Sequence, residues 1–144
     1  MFLGTQRVNE AGHLEIGGCD ALALAREFGT PLYVLDEETV RRKCRALRAA
    51  YEKRYPSSLM LFAAKALINM AVCRIMDEEG MGLDLSSGGE LYTALRAGFP
   101  MERIYLHGNN KAAWELELAL EAGVGRVVLD NEREMELLNA LAAR

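Results

Sequence analysis

Lys65 interrupts an otherwise apolar run, LMLFAA-K-ALI, between Leu59 and Ile68. A charged amine is costly to bury there without a use. Low dielectric would favour its neutral form, the one that condenses with a carbonyl in Schiff-base chemistry. The plainer alternative is a rim lysine that snorkels to solvent. Asp84 sits inside a second apolar run, GLDL, where a carboxylate suits Lys65 or another cationic group; an N-cap or an ordinary rim carboxylate accounts for it equally well. His107 opens the run HGNNK. A histidine in that position can stack on, or hydrogen-bond to, a bound ring, and it can also be satisfied by local backbone. The run Ser86-Ser87-Gly88-Gly89-Glu90 puts two glycines in the first turn of a helix, each costing about 1 kcal/mol relative to alanine. Close approach of a ligand or another backbone explains them, and so does a tight turn with no room for Cβ atoms. Ser87 and Glu90 have the S-x-x-E spacing of a capping box.

The elements that must position these residues form a repeat. Buried-type strands are predicted at 59–64, 82–85, 103–107 and 126–129, each followed by a helix, at 69–79, 87–97, 111–122 and 132–143. Phe62, Asp84, Leu106 and Val128 stand 22 residues apart in succession. Gly80, Gly98 and Gly123 close three of the helices. Asn110 is expected to cap the helix led by Lys111, and Asn131 with Glu134 makes a weaker capping box. Alternating strands and capped helices mean βα units on a parallel sheet. The predicted fold class is α/β, the first half of a (β/α)8 barrel, whose complete form needs roughly 250 residues; the chain therefore reads as truncated. A doubly wound sheet is the alternative, although no G-x-G-x-x-G follows any strand. Barrel chemistry collects at the C-terminal strand ends, where Lys65, Asp84 and His107 fall.

Residues 1–36 read differently. HLEI (13–16) is a short strand, Asp20 caps a helix ending at Phe28, Gly29 and Thr30-Pro31 stop it, and LYVLD (32–36) is a second strand. A helix follows from Glu37 to about Tyr55, with Val40, Cys44, Leu47 and Tyr51 on one face, and Pro56 ends it.

With 51% hydrophobic and 26% charged residues in 144, the chain has material for a core and is not obligately disordered. Its formal charge of -4 carries no basic stripe, so no nucleic-acid partner is expected. No run spans a bilayer and Met1–Gly12 lacks a signal-peptide pattern, so no membrane partner and a cytoplasmic location are expected. Cys19, Cys44 and Cys73 suggest neither a disulfide framework nor a metal site; Cys44 and Cys73 read as small hydrophobes on helix faces. Trp114 reads as packing, and His13 is given no role.

The runs GTPLYVLDEE (29–38), FAAK (62–65), GLDLSSGGELYTALRAGFPMERI (82–104), HGNNK (107–111) and VVLDN (127–131) resemble the diaminopimelate decarboxylase family, of the alanine-racemase-like class of pyridoxal-phosphate enzymes. The resemblance implies a barrel, here 37–144 in part, beside a second, mostly β domain to which 1–36 would belong. It implies that Lys65 is the catalytic lysine that holds pyridoxal 5'-phosphate, and that Asp84, Ser87 and His107 line the cofactor pocket. It implies decarboxylation of a small amino-acid substrate, meso-2,6-diaminopimelate to L-lysine and CO2, by a full-length homodimer. The residues that bind phosphate, pair the pyridine nitrogen and donate the proton come later in that family, so these 144 residues alone are expected to be inactive. The sequence departs from many relatives at Leu67, where they have asparagine, and in the run Asp84-Leu85-Ser86-Ser87-Gly88-Gly89-Glu90, where many have DVVSGGE. Arginine- or ornithine-type decarboxylases and amino-acid racemases of the same class share Lys65. A non-catalytic α/β interaction module is the alternative of another kind.

Overall fold

The computed structural model describes residues 2–144. They divide into two compact units, Met1–Arg54 and Tyr55–Arg144. In the first, β1 (Arg7–Val8), β2 (Leu14–Ile16) and β3 (Cys19–Asp20) make a small antiparallel sheet in that order, followed by α1 (Ala21–Phe28) and α2 (Glu37–Glu52). β2 answers to the predicted HLEI strand; two-residue strands such as β1 and β3 are too short to show a period.

Both helices of this unit begin on an aspartate that serves two purposes. Asp20 Oδ1 accepts from the N–H groups of Leu22 and Ala23, as an N-cap should. Its other oxygen lies 2.8 Å from both Asn9 Nδ2 and His13 Nδ1, so His13 ties the β-hairpin to the helix start. Asp36 caps α2 through Thr39 N and accepts the hydroxyls of Thr39 and Thr5 at 2.5 and 2.7 Å. The His13 and Asn9 hydrogen bonds hold the Asp20 carboxyl well below the usual carboxylate range, and the two threonine hydroxyls do the same for Asp36. A depressed folded-state pKa stabilises the fold at pH values above the unfolded value of about 3.9, and that contribution fades as pH falls through the folded value. Asp36→Asn should therefore weaken α2 at neutral pH and flatten its acid sensitivity between about pH 5 and 2. Circular dichroism across that range checks this; parallel curves for the variant and the parent would refute it.

The predicted strand LYVLD is absent. Residues 32–36 belong to no ladder, and Tyr33 is 104% exposed. β-branched and aromatic composition favours a strand only where a neighbour takes up the backbone hydrogen bonds and covers a face, and no strand among the described residues pairs with it. On α2 only Cys44 of the expected stripe is buried, Leu47 and Tyr51 being about half exposed, and the helix ends at Glu52 rather than Tyr55.

In the second unit β4 (Leu61–Ala63), β5 (Gly82–Leu85), β6 (Ile104–Leu106) and β7 (Arg126–Val127) form a parallel sheet in the order β4-β5-β6-β7. Their helices are α3 (Met70–Glu78), α4 (Gly88–Ala97), α5 (Ala113–Ala122) and α6 (Glu132–Ala142). A doubly wound sheet reverses strand order at a switch point; this one runs in sequence, as successive units of a barrel do. Leu83, Leu85, Ile104 and Leu106 are fully buried with Cys73, Met76, Leu91 and Leu116 from the helices. Each such side chain contributes roughly 1.5–3 kcal/mol on burial. Burial also pushes the Cys73 thiol up, as befits a small core hydrophobe.

The pairing register differs from the sequence repeat by one. Ala63 pairs with Asp84, Asp84 with Tyr105, and Tyr105 with Arg126, so partners are 21 residues apart, not 22. A repeat length counts turns and helices as well as strands, whereas backbone hydrogen bonding alone sets register.

Candidate cofactor-binding rim

Ala63, Asp84, Tyr105 and Arg126 form one cross-strand row, opposite the helix-covered face that holds Leu83, Leu85, Ile104 and Leu106. Asp84 and Tyr105 are half-buried, and the Arg126 guanidinium covers the Tyr105 ring at 5.2 Å. Two residues further along each chain segment come Lys65, Ser86 and His107, at the C-terminal edge of the sheet.

Lys65 lies in a single 3-10 turn, Ala64–Ala66, directly after β4. Ala64 is buried and anchors the turn, while Lys65 is exposed. The burial expected for its amine is thus not found: the turn lifts the side chain out of the apolar run that surrounds it in sequence. Asp84 stands a layer below it. His107 is exposed and is held at its backbone by an N–H bond to Leu85 O of 2.7 Å. No side-chain hydrogen bond or ion pair joins Lys65, Asp84 and His107 among the described residues, so Asp84 does not hold Lys65. The three share one edge of one sheet with their polar atoms unspent.

Ser87 is the N-cap of α4, its Oγ accepting from Glu90 N at 3.3 Å. That leaves its hydroxyl hydrogen free to donate. Glu90 returns the capping interaction one residue earlier than the standard box, its Oε2 accepting from Ser86 N at 2.6 Å and Ser86 Oγ at 3.2 Å. The two glycines have different reasons. A Cβ on Gly88 would lie 2.3 Å from the Trp114 ring, so the indole, not a ligand, occupies that space. Gly89 faces open space, with only Ser87 Oγ at 4.0 Å.

Three polar residues knit this rim in ways not foreseen from sequence, and Glu115 was not singled out there at all. Glu115 takes Gly88 N at 2.6 Å and Ala112 N at 2.9 Å, joining the starts of α4 and α5. It displaces the expected Asn110 cap, because α5 begins after Ala112. Lys111 is buried and pairs with Glu134 at 2.6 Å, with side-chain exposures of 1% and 5%. Asn131 does cap α6 through Glu134 N, but the Glu134 carboxylate goes to Lys111 rather than back to the cap. A glutamate three residues into each helix was the available signal, although it fixes only the local half of each interaction.

The donor set suits an aromatic aldehyde cofactor. Lys65 offers an unpaired primary amine to an aldehyde carbon, His107 an imidazole to a ring, and Ser87 a hydroxyl donor beside the open side of Gly89. No group of three or more His, Cys, Asp or Glu residues poised for a metal occurs among the described residues, and none of their helices is long and apolar enough to cross a membrane.

Residues 37–144 match the family model of the pyridoxal-dependent decarboxylases, pyridoxal binding domain. Over 142 residues the chain is 46% identical to the diaminopimelate decarboxylase of Bacillus methanolicus, covering 99% of this chain and 33% of that protein. It is 49% identical over 142 residues to that of Bacillus subtilis, covering 98% and 32% respectively. The crystal structure of a diaminopimelate decarboxylase from M. jannaschii in co-complex with L-lysine superposes with a TM-score of 0.85 at 33% identity, over 96% of this chain and 33% of that one. The chain thus spans about a third of the length of these relatives, and its α/β unit has the fold of the corresponding part of their barrel.

Proposed function

Since the chain belongs to the pyridoxal-dependent decarboxylases, whose cofactor is pyridoxal phosphate, we propose that it supplies the cofactor-holding half-barrel of a diaminopimelate decarboxylase, converting meso-2,6-diaminopimelate to L-lysine and CO2. The observation that carries this reading is Lys65: an exposed amine with no partner, presented by a one-turn 3-10 segment at the C-terminal end of a barrel strand. Near-50% identity to enzymes of that name across almost the whole chain supports the choice of substrate.

In this reading Lys65 Nζ would hold the cofactor as its covalent tether. The bound cofactor supplies an electron sink for the pair left on Cα when CO2 departs. His107, fixed at its backbone to β5, would lie against the ring or hydrogen-bond it. The Ser87 hydroxyl donates to an acceptor on the cofactor, and the Asp84 carboxylate stands below as the acceptor for a cationic group. Residues 1–36 join a second, mostly β domain, whose strands would take up the exposed segment 32–36. The working enzyme is a cytoplasmic homodimer.

Incubation with pyridoxal phosphate, borohydride reduction and peptide mapping test the assignment. The four lysines are Lys43, Lys53, Lys65 and Lys111, of which Lys111 is shielded by its ion pair. A saturable adduct on Lys65, well above Lys43 and Lys53, is the expected result. Equal labelling of those three exposed lysines would leave only indiscriminate aldehyde chemistry and sink the proposal.

A further inference from the structure

Of the ion pairs described, Lys111–Glu134 is the most deeply buried, and no step above uses it. Three oxygens surround its ammonium: Gly108 O at 2.5 Å, Val128 O at 2.9 Å and Glu134 Oε1 at 2.6 Å. The ammonium donates to the two carbonyls, and the Glu134 carboxylate stands beside it as counter-ion, outside hydrogen-bond geometry. The three oxygens come from different places: the loop after β6, the segment after β7, and α6. Removing two charges from water is expensive, and an apolar pair of the same volume often stabilises a fold as well or better. What an apolar pair cannot supply is a set of directed bonds to two main-chain carbonyls. The loop so held is the one that carries His107. It is pinned at its start by His107 N to Leu85 O, and at Gly108 it runs against the β5 end, where a Cβ would lie 3.3 Å from Ser86 O. Gly108 adopts φ +122°, a conformation closed to most side chains.

We propose that Lys111 is a positioning residue: its ammonium, neutralised by Glu134, fixes the Gly108 carbonyl and thereby sets the His107 imidazole over the cofactor. This rests on the proposed role of His107 at the rim. Glu134 supplies charge balance, and Val128 O extends the clamp to the neighbouring strand end.

The test uses the full-length enzyme carrying Lys111→Met together with Glu134→Leu, which removes both charges and keeps the volume. Hydrogen exchange read by mass spectrometry should show residues 107–111 exchanging about tenfold faster or more, with 82–85 and 104–106 unchanged. The circular dichroism of bound pyridoxal phosphate should change, and kcat should fall roughly 10–100-fold with little change in KM. Wild-type protection at 107–111 would overturn the proposal. So would faster exchange with an unaltered cofactor signal and kcat, since the pair would then be scaffolding alone. If the double variant does not fold, Gly108→Ala decides: it alters the loop path without touching a charge and should give the same pattern, and wild-type behaviour there would count against the clamp. Should the parent enzyme bind no pyridoxal phosphate, the functional assignment falls, while the exchange arm still decides whether Lys111 holds the loop.

Discussion

Lys65→Ala is expected to lower decarboxylation of meso-diaminopimelate in the full-length enzyme by on the order of 10⁴-fold or more in kcat, with almost no change in stability. The second half of that expectation gives the first its meaning. Lys65 is exposed and makes no hydrogen bond or ion pair among the described residues, so its truncation should cost no more than about 0.5 kcal/mol. Lys65→Arg separates the two ways a cation could matter there. Arginine keeps the charge but stays protonated and cannot serve as a covalent tether, so it should be as inactive as alanine. CO2 release measured beside thermal unfolding tests both variants. Substantial activity in Lys65→Arg would mean that Lys65 contributes charge rather than a bond.

The largest expected effect on stability comes from Lys111→Met alone. It strands the Glu134 carboxylate in a site where that side chain is 5% exposed, and breaking a buried pair from one side typically costs about 3–5 kcal/mol. Adding Glu134→Leu should recover most of that loss, because two apolar chains fill the space without a desolvation penalty. Denaturant unfolding of all four corners of the cycle gives the coupling. Additive single-variant effects would mean that the 2.6 Å contact carries no energy of its own. Together with its effect on exchange and kcat, the pair would then divide cleanly into a stability-neutral and a function-bearing part.

What could be read from the sequence was what is local. Ser87, Asp20 and Asn131 each cap a helix through their own side chains, and such caps are visible as residue types next to an apolar period. GLDL reads as a strand and is one, residue for residue. Lys65 stood out because an amine in an apolar run needs a reason, although the reason is a 3-10 turn and not burial. Two of the larger misreadings depend on partners distant in the chain. LYVLD has strand composition but no neighbour to pair with. The Lys111–Glu134 pair joins residues on two different βα units, and from either side alone it resembles a helix start. The register error has the same source, since no counting of residues records where two backbones meet. Asp84 and His107 lie near one end of the sheet, in adjacent rows, and which atoms they would touch is not decided by that placement.

Trp114 is the only tryptophan, and its ring lies on the Gly88 backbone, one residue beyond the Ser87 cap, while remaining 57% exposed. The molecule therefore carries a native fluorophore half in water and half against the start of α4, beside the proposed cofactor site. Its emission wavelength and its quenching by dissolved iodide report on that corner without any label. A change in that emission on adding pyridoxal phosphate would report binding in real time on unmodified protein.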